Sequence, residues 1–432
     1  MILIGIIYYI LVIGLKILNS ILLNRFTIIL LIYSTILTLP TLKEYYFFTS
    51  INDIHFFKAE IFSGLWHITT LIEFIELLVY IFGSFILLLG EQSKFINNRK
   101  LLEEYGLLIL LTIFGMICLI NSNDLFSFFL AIELQSFPLY ILASIYRNNQ
   151  SATESALKYY FLGALSSSIL LLGISLIYGY TGITNFTDLA LLYSTEFNQN
   201  LQYNSNYEMI LNSKINPEVD ILKFSLFYNI ESLSNITVPM GIFFLAIALL
   251  FKIAAVPFHF WAPDVYDGVP TIITSWIAIL PKISIIILIL ILYKDIFNNI
   301  VGWNHLFLVS SALSLITGSI LGLAQYKIKR LLAYSSISHI GFILLGISIL
   351  NNDYITNMGS TLFYTIQYIV TSINIFLILN SFSSSNNYDI ETISQLKGFF
   401  IFNPLLTISF AISLFSMAGK HMDCPSPTGL RI

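Results

Sequence analysis

Two lysines lie inside long apolar segments of this chain, and their chemistry needs an explanation first. The stretch from Leu250 to Ile283 reads LFKIAAVPFHFWAPDVYDGVPTIITSWIAILPKI and contains Lys252 and Lys282. A lysine placed in the hydrocarbon of a bilayer costs about 2.5–3.5 kcal/mol on insertion scales, so two lysines in one hairpin require a functional reason. Ion transport is the function that we expect of them.

Prolines surround both lysines, at positions 257, 263, 270 and 281. A proline that interrupts a helix frees backbone carbonyls, which protein or water in a cavity must then satisfy. Broken helices beside buried charges form ion sites in many transporters. We therefore predict a helix break at Pro257 and Pro263. The simpler interpretation, in which the two prolines only end one helix and lead into the next, stays open.

Three other polar residues of this stretch receive no transport role. His259 lies at the proposed break, where an imidazole beside water is as consistent with a loop hydrogen bond as with proton transfer. Asp264 and Asp267 precede the turn at Pro270, and we expect both carboxylates to be solvated there.

Two ionisable residues lie in earlier apolar segments. Glu133 is near the centre of a segment that is otherwise free of charge from Leu125 to Tyr146, and a carboxyl group at that depth should be protonated or paired. A neutral Glu133 bonded to a neighbouring helix remains an alternative. Lys158 lies near the start of the next segment, and snorkelling to the lipid headgroups is the alternative there.

His339 lies about ten residues into another apolar segment, in the sequence YSSISHIGF. Imidazole titrates near neutral pH and can pass a proton through either nitrogen. A core histidine bonded to the surrounding serines is the alternative. We predict that His339 takes part in proton transfer.

The elements that position these residues follow from composition. Hydrophobic residues make up 57% of the 432 residues, charged residues 10%, and the mean hydropathy is +0.83. A chain this apolar is predicted to be an all-α, polytopic membrane helix bundle, because a span needs about 20 apolar residues. We predict twelve spans: 3–22, 26–42, 69–90, 105–121, 124–146, 156–180, 238–258, 271–293, 305–324, 330–350, 361–382 and 399–418.

The Leu250 to Ile283 stretch resembles the signature of the antiporter-like subunits of respiratory complex I, the proton-pumping NADH:ubiquinone oxidoreductase. The supporting runs are LAIELQSFPLYILAS (130–144), SALKYYFLGALSSSILLLG (155–173) and KIKRLLAYSSISHIGFILLG (327–346). The resemblance implies proton translocation by Glu133, Lys158, Lys252, Lys282 and His339. It also implies that Lys158 is the partner of Glu133 within the membrane.

The resemblance implies a domain organisation as well. Residues 1–104 would be N-terminal transmembrane helices, 105–293 a first five-helix repeat with a polar insertion at 181–237, and 294–419 a second repeat of inverted topology. The match fails after Gly419, where KHMDCPSPTGLRI lacks the expected helix break and further helices. We therefore expect the second repeat to be incomplete, 420–432 to be an aberrant tail, and a spliced transcript to encode a different continuation.

No cofactor or metal site is expected in the chain itself. It has no Gly-rich dinucleotide fingerprint, no cluster-type cysteine spacing and no paired axial histidines, and no basic tract suggests nucleic acid. NADH, flavin, iron–sulfur clusters and ubiquinone would bind to other subunits. The expected partners are other complex I membrane subunits and the lipid bilayer.

The function implied is that of a core complex I subunit of the mitochondrial inner membrane, translocating protons with energy from electron transfer elsewhere. A stand-alone or Mrp-type cation/proton antiporter is the alternative from another class, because it shares these helices and lysines. A membrane scaffold without transport activity is the third hypothesis.

Overall fold

The computed structural model describes nine ranges of the chain: 1–15, 20–49, 59–90, 104–147, 149–192, 238–293, 301–349, 354–386 and 391–417. The predicted tail at 420–432 and most of the predicted insertion, 193–237, lie outside the described residues.

Helices dominate the described residues. The first six are α1 (Ile2–Leu15), α2 (Ser20–Thr49), α3 (Thr70–Gly90), α4 (Tyr105–Asn121), α5 (Leu125–Ala143) and α6 (Gln150–Thr181). The next five are α7 (Val238–Ile253), α8 (Trp261–Gly268), α9 (Thr271–Leu292), α10 (Val301–Leu323) and α11 (Ile328–Ser348). The last three are α12 (Tyr354–Asn386), α13 (Phe399–Phe402) and α14 (Pro404–Met417), preceded by a 3₁₀-helix at Ile393–Leu396.

The predicted polytopic membrane fold is confirmed. Eight of these helices are long and apolar enough to cross a bilayer, and four shorter apolar helices accompany them in the described part of the chain. Of the predicted first span, 3–22, α1 covers the residues as far as Leu15 and α2 begins at Ser20, and 16–19 lie outside the described residues.

A small antiparallel hairpin covers one end of the bundle. Its strands are β1 (Ala59–Ile61) and β2 (Trp66–Ile68), and Trp66 also bridges to Ser122 in the α4–α5 connection. Asn123 in that connection donates hydrogen bonds from its amide to the Gly64 carbonyl at 3.0 Å and to Asn185 at 2.7 Å. The hairpin therefore fixes the polar turn from which α5 starts.

The central helix is α9. In its span 94% of the residues are buried, against at most 61% in the other long spans, so α9 is the one long helix of the described residues that is enclosed on all sides. It packs against α3, α4, α5 and α12. An apolar helix can occupy this position because all of its faces can pack against neighbouring helices without burying an unpaired polar group, apart from the lysine it carries.

Gly115 allows α4 and α5 to approach closely. A Cβ atom at this position would lie 2.6 Å from the backbone nitrogen of Gln135 and 2.7 Å from its Cα. Gln135 in turn reaches α9, where its amide donates to the Pro281 carbonyl at 3.3 Å and accepts from the Ser284 hydroxyl at 3.1 Å. The distances between α4, α5 and α9 therefore depend on the absence of a side chain at Gly115.

Gly115→Ala is expected to destabilise the fold by about 1–3 kcal/mol, because the methyl group overlaps backbone that cannot rotate away. Thermal unfolding of the detergent-solubilised protein should show the loss. Gly179→Ala on α6 is the matched control, because nothing lies within 4 Å of its Cβ position. Equal melting temperatures for the Gly115→Ala variant and the unmodified protein would contradict this packing.

Candidate functional site

Lys282 lies at the centre of the bundle. It sits midway along α9, its side chain is fully buried, and its ammonium group donates to the Ser336 hydroxyl of α11 at 3.1 Å. The same group lies 5.4 Å from the ring centroid of Tyr266 on α8, within the range of a cation–π interaction. No carboxylate forms an ion pair with Lys282 among the described residues.

Two small cavities lie beside Lys282 and meet at Tyr368 of α12. One is lined by Lys282, Thr365 and Tyr368, and the other by Tyr266, Ser336 and Tyr368, each with a volume of about 10 Å³. A water molecule needs about 10–15 Å³ and at least two polar partners. Both cavities are therefore near the size of one water molecule and carry the polar groups to hold it.

His339 lies next to Tyr368, which lines both cavities. Its Nδ1 is 2.8 Å from the Tyr364 hydroxyl, and its ring centroid is 5.1 Å from that of Tyr368. The predicted alternative, a histidine bonded to its neighbouring serines, is not what the structure contains, because those serines bond to helix carbonyls one turn back. Lys282 and His339 are thus brought to one polar region around Tyr368.

Lys252 is at the end of α7, next to α5. Its ammonium group lies 3.3 Å from the Tyr140 hydroxyl and 5.8 Å from the centroid of the Tyr140 ring. Gly163 of α6 makes room for Tyr140, since a Cβ there would lie 2.0 Å from the tyrosine hydroxyl oxygen. The close approach of α6 to α5 therefore positions Tyr140, the hydrogen-bond partner of Lys252.

The predicted helix break follows Lys252 directly. α7 ends at Ile253, Ala254 has φ of 62°, and Pro257 lies in the turn that leads to α8. The Trp261 indole donates to the Phe251 carbonyl at 3.0 Å, which satisfies one carbonyl at the end of α7. Pro263 does not lie in the break: it is in the first turn of α8, where proline is tolerated because no backbone donor is needed.

His259 lies buried in the turn between α7 and α8, with its ring 4.4 Å from that of Phe260. Burial lowers the pKa of its imidazole, so the ring is neutral at neutral pH. It lies at the break, as the sequence predicts.

Glu133 lies on α5 within electrostatic reach of Lys252 but forms no direct ion pair with it. One carboxylate oxygen is buried and has no hydrogen-bond partner among the described residues. A buried carboxyl oxygen without a donor is costly, so Glu133 needs a proton, a water molecule or a moved lysine to satisfy it.

The structure does not place Lys158 beside Glu133. Its ammonium group forms ion pairs with Glu154 at 2.9 Å, one helical turn earlier, and with Asp264 of α8 at 3.1 Å. The Lys158 side chain is 45% exposed, so it belongs to the end of the bundle and not to its interior. The physical reason is competition: two nearby carboxylates at the surface hold this lysine without any desolvation cost.

Asp264 and Asp267 are ion-paired, and the expectation that they would be only solvated is wrong. Arg330 of α11 contacts both carboxylates, Asp264 at 3.3 Å and Asp267 at 3.0 Å, and Lys327 contacts Asp267 at 2.9 Å. These contacts join α8 to the first turn of α11. The partners are 60 or more residues apart, so no local sequence signal connects them.

The tyrosines around the lysines and His339 were not predicted from the sequence. Tyr140, Tyr364 and Tyr368 lie in apolar segments, where an aromatic residue resembles any other core residue, and Tyr266 lies between Asp264 and Asp267 in the short helix α8. Glu154 had a usable signal, because its spacing of four residues from Lys158 places both side chains on one helix face.

Comparisons with known proteins identify the family that this sequence matches. Residues 122–423 match the family model described as NADH:quinone oxidoreductase/Mrp antiporter, transmembrane. The chain is 41% identical to NADH-ubiquinone oxidoreductase chain 2 of Rhizopus oryzae, over 97% of this chain and 76% of that protein. It is 36% identical to NADH-quinone oxidoreductase subunit N of Pelagibacter ubique, over 84% of this chain and 68% of that protein.

A solved structure shares the fold. The chain superposes on a chain of respiratory complex I from Thermus thermophilus with a TM-score of 0.67 and 24% identity, covering 97% of this chain and 78% of that one.

Tyr140→Phe is expected to destabilise the folded protein by roughly 1.5–3 kcal/mol, because it removes the hydroxyl that bonds a buried ammonium group. Unfolding in mixed micelles with increasing denaturing detergent should measure the loss. Tyr160→Phe is the matched control, because Tyr160 is 44% exposed. If both variants unfold at the same detergent fraction, the contact of Lys252 with Tyr140 does not hold the ammonium group.

Proposed function

Because the chain belongs to the NADH:quinone oxidoreductase/Mrp antiporter transmembrane family, we propose that it is a proton-translocating membrane subunit of an NADH:ubiquinone oxidoreductase, the counterpart of its chain 2. We further propose that it works in the mitochondrial inner membrane, as its eukaryotic relative suggests, and assembles with other membrane subunits of that complex.

One observation supports this proposal above the others: Lys282 is fully buried in the central helix and its hydrogen-bond partner is a neutral hydroxyl. A structural lysine would be expected to carry a carboxylate partner, because a buried charge without one is costly. The Ser336 hydroxyl accepts from the ammonium group while it donates to the Ala333 carbonyl at 2.7 Å, and rotation of the hydroxyl would turn that donation to a neutral amine. The site can therefore hold Lys282 both before and after it gives up a proton.

Proton transfer away from Lys282 needs a short polar route. Tyr368 lines both cavities beside the lysine and packs against His339, and Ser336 lines one of the two cavities. Water in those cavities would link the amine to the imidazole, whose two nitrogens can receive and release a proton. We propose that Lys282 and His339 exchange protons along this route.

Glu133 and Lys252 form the other part of the proposed relay. The unsatisfied oxygen of Glu133 can accept a proton, and Lys252 lies within its electrostatic reach. Protonating the carboxyl group would remove its attraction for the lysine. The charge state of Glu133 would therefore decide whether Lys252 keeps or passes its proton.

Oxidation of NADH and reduction of ubiquinone are assigned to other subunits. We propose that this chain binds no NADH, flavin, iron–sulfur cluster or quinone, because its sequence carries no Gly-rich dinucleotide fingerprint and no cluster-type cysteine spacing. A Mrp-type antiporter remains a relative by family, but both sequence relatives compared above are subunits of NADH oxidoreductases.

Lys282→Ala and Lys252→Ala are each expected to reduce proton pumping about tenfold or more, because each removes a protonatable group from the membrane interior. The assay would use vesicles from cells in which this chain replaces the resident subunit, with acidification followed after addition of NADH. Lys397→Ala is the control, because Lys397 lies exposed after the 3₁₀-helix. Normal pumping by the Lys282→Ala variant in an assembled complex would contradict the proposed function.

A further inference from the structure

Glu76 is a second carboxyl group inside a membrane span, and no role has been given to it above. It lies about two turns into α3, whose apolar span runs from Thr70 to Leu88. An ionisable residue in such a segment is expensive, and it marks a functional site unless a structural partner explains it.

The partner of Glu76 is a neutral amide. Asn121, at the end of α4, donates from its side-chain nitrogen to Glu76 Oε1 and to the Ile117 carbonyl, the latter at 3.0 Å. Among the described residues no lysine, arginine or histidine forms an ion pair with Glu76. An amide donor can bond an ionised carboxylate or the carbonyl oxygen of a protonated one, so this contact does not fix the charge of Glu76.

The other titratable groups that face Glu76 do not compensate a negative charge. Glu73 lies one turn earlier on α3 and repels it electrostatically. Tyr80, one turn later, and Cys118 of α4 also interact with the carboxylate, and both are neutral in their ordinary protonated forms. A proton is therefore the simplest charge compensation available at this position.

Polar groups continue from Glu76 to the end of the bundle. Asn121 is followed by Ser122, Asn123 and Asp124, and all four side chains are buried. They lie under the β hairpin, in the turn from which α5 starts. Buried polar groups in a row can hold the hydrogen-bonded water that a proton needs to reach the surface.

We infer that Glu76 is a proton-binding carboxyl group of the transport route, at the end of the bundle opposite the ion pairs of Asp264 and Asp267. α5 runs between these two ends, starting beside Asn121 and finishing near the start of α6. The carboxylate takes up one proton from within the bundle, becomes a neutral acid, and later releases that proton to water at its own end. This inference rests on the proposed function, because it assigns a further residue to the same transport.

A purely structural role makes a different prediction. Glu76 would then serve only to bond α3 to α4 through Asn121, and a glutamine at position 76 would keep that bond, because its carbonyl oxygen accepts from the same amide. Proton transfer would be lost in the same variant, because an amide cannot take up a proton at neutral pH. The variant Glu76→Gln therefore separates the two roles.

The test measures the number of protons pumped per NADH oxidised, in vesicles that carry the complete complex. Glu76→Gln should assemble and should lower this ratio by about twofold or more, whereas Glu76→Asp, which keeps a carboxyl group, should retain more of it. A Glu76→Gln variant that pumps at the unmodified ratio overturns the inference.

A second measurement uses the unmodified complex and therefore does not depend on whether the Glu76→Gln variant folds. A hydrophobic carbodiimide reacts with protonated carboxyl groups in apolar surroundings, and mass spectrometry of the unmodified complex locates the adduct. We expect an adduct on Glu76 that forms faster at low pH than at high pH. Absence of the adduct throughout the pH range overturns the inference.

The Lys282→Ala variant, measured in the same vesicles, distinguishes failure of the proposed function from failure of the role of Glu76. If Lys282→Ala pumps normally, the proposed function fails. If Lys282→Ala loses pumping and Glu76→Gln does not, only the role of Glu76 fails.

Discussion

A charged group buried in an apolar helix bundle needs a hydrogen-bonding or electrostatic partner inside the bundle. Among the described residues, Lys282 is the one for which that requirement is strictest. The ammonium group of this residue lies in the most enclosed helix, α9, and is met by a hydroxyl and an aromatic ring. Neither partner is charged. The interaction therefore holds the lysine in place without locking its protonation state, and this is what distinguishes it from an ion pair.

The ion pairs that lysine and arginine form among the described residues lie elsewhere. Lys158, Arg330 and Lys327 meet the aspartates of α8 at one end of the bundle, where their side chains are 40–47% exposed. Exposed ion pairs each contribute only about 0–1 kcal/mol to the free energy of unfolding. Their main effect is to fix the position of the helices that they join. They hold the short helix α8 against α6 and α11, and α8 carries the Tyr266 ring that faces Lys282. The ion pairs at this end of the bundle therefore help to position the aromatic ring beside Lys282.

Close helix approach is the second requirement. Gly115 lets α4 reach the backbone of α5, and Gly163 lets α6 reach the Tyr140 hydroxyl beside Lys252. Bundles in lipid gain little from hydrophobic burial between helices, so close packing and interhelical hydrogen bonds supply the attraction. The Gln135 contacts with α9 depend on the same approach. Small residues therefore position the polar groups that the transport route uses.

The sequence by itself determined the membrane class, nearly all of the helices and the ionisable residues worth examining. These follow from local properties: the length of an apolar run, the cost of a lysine inside it, and proline near a helix end. Partner choice was decided only by the tertiary structure. Lys158 was expected to meet Glu133 and instead meets Glu154 and Asp264, and the tyrosines and serine around Lys282 and His339 carry no local mark of their role. The reason is that a buried or surface charge pairs with whatever group the packing of distant helices brings within a few ångströms, and no spacing along the chain encodes that distance.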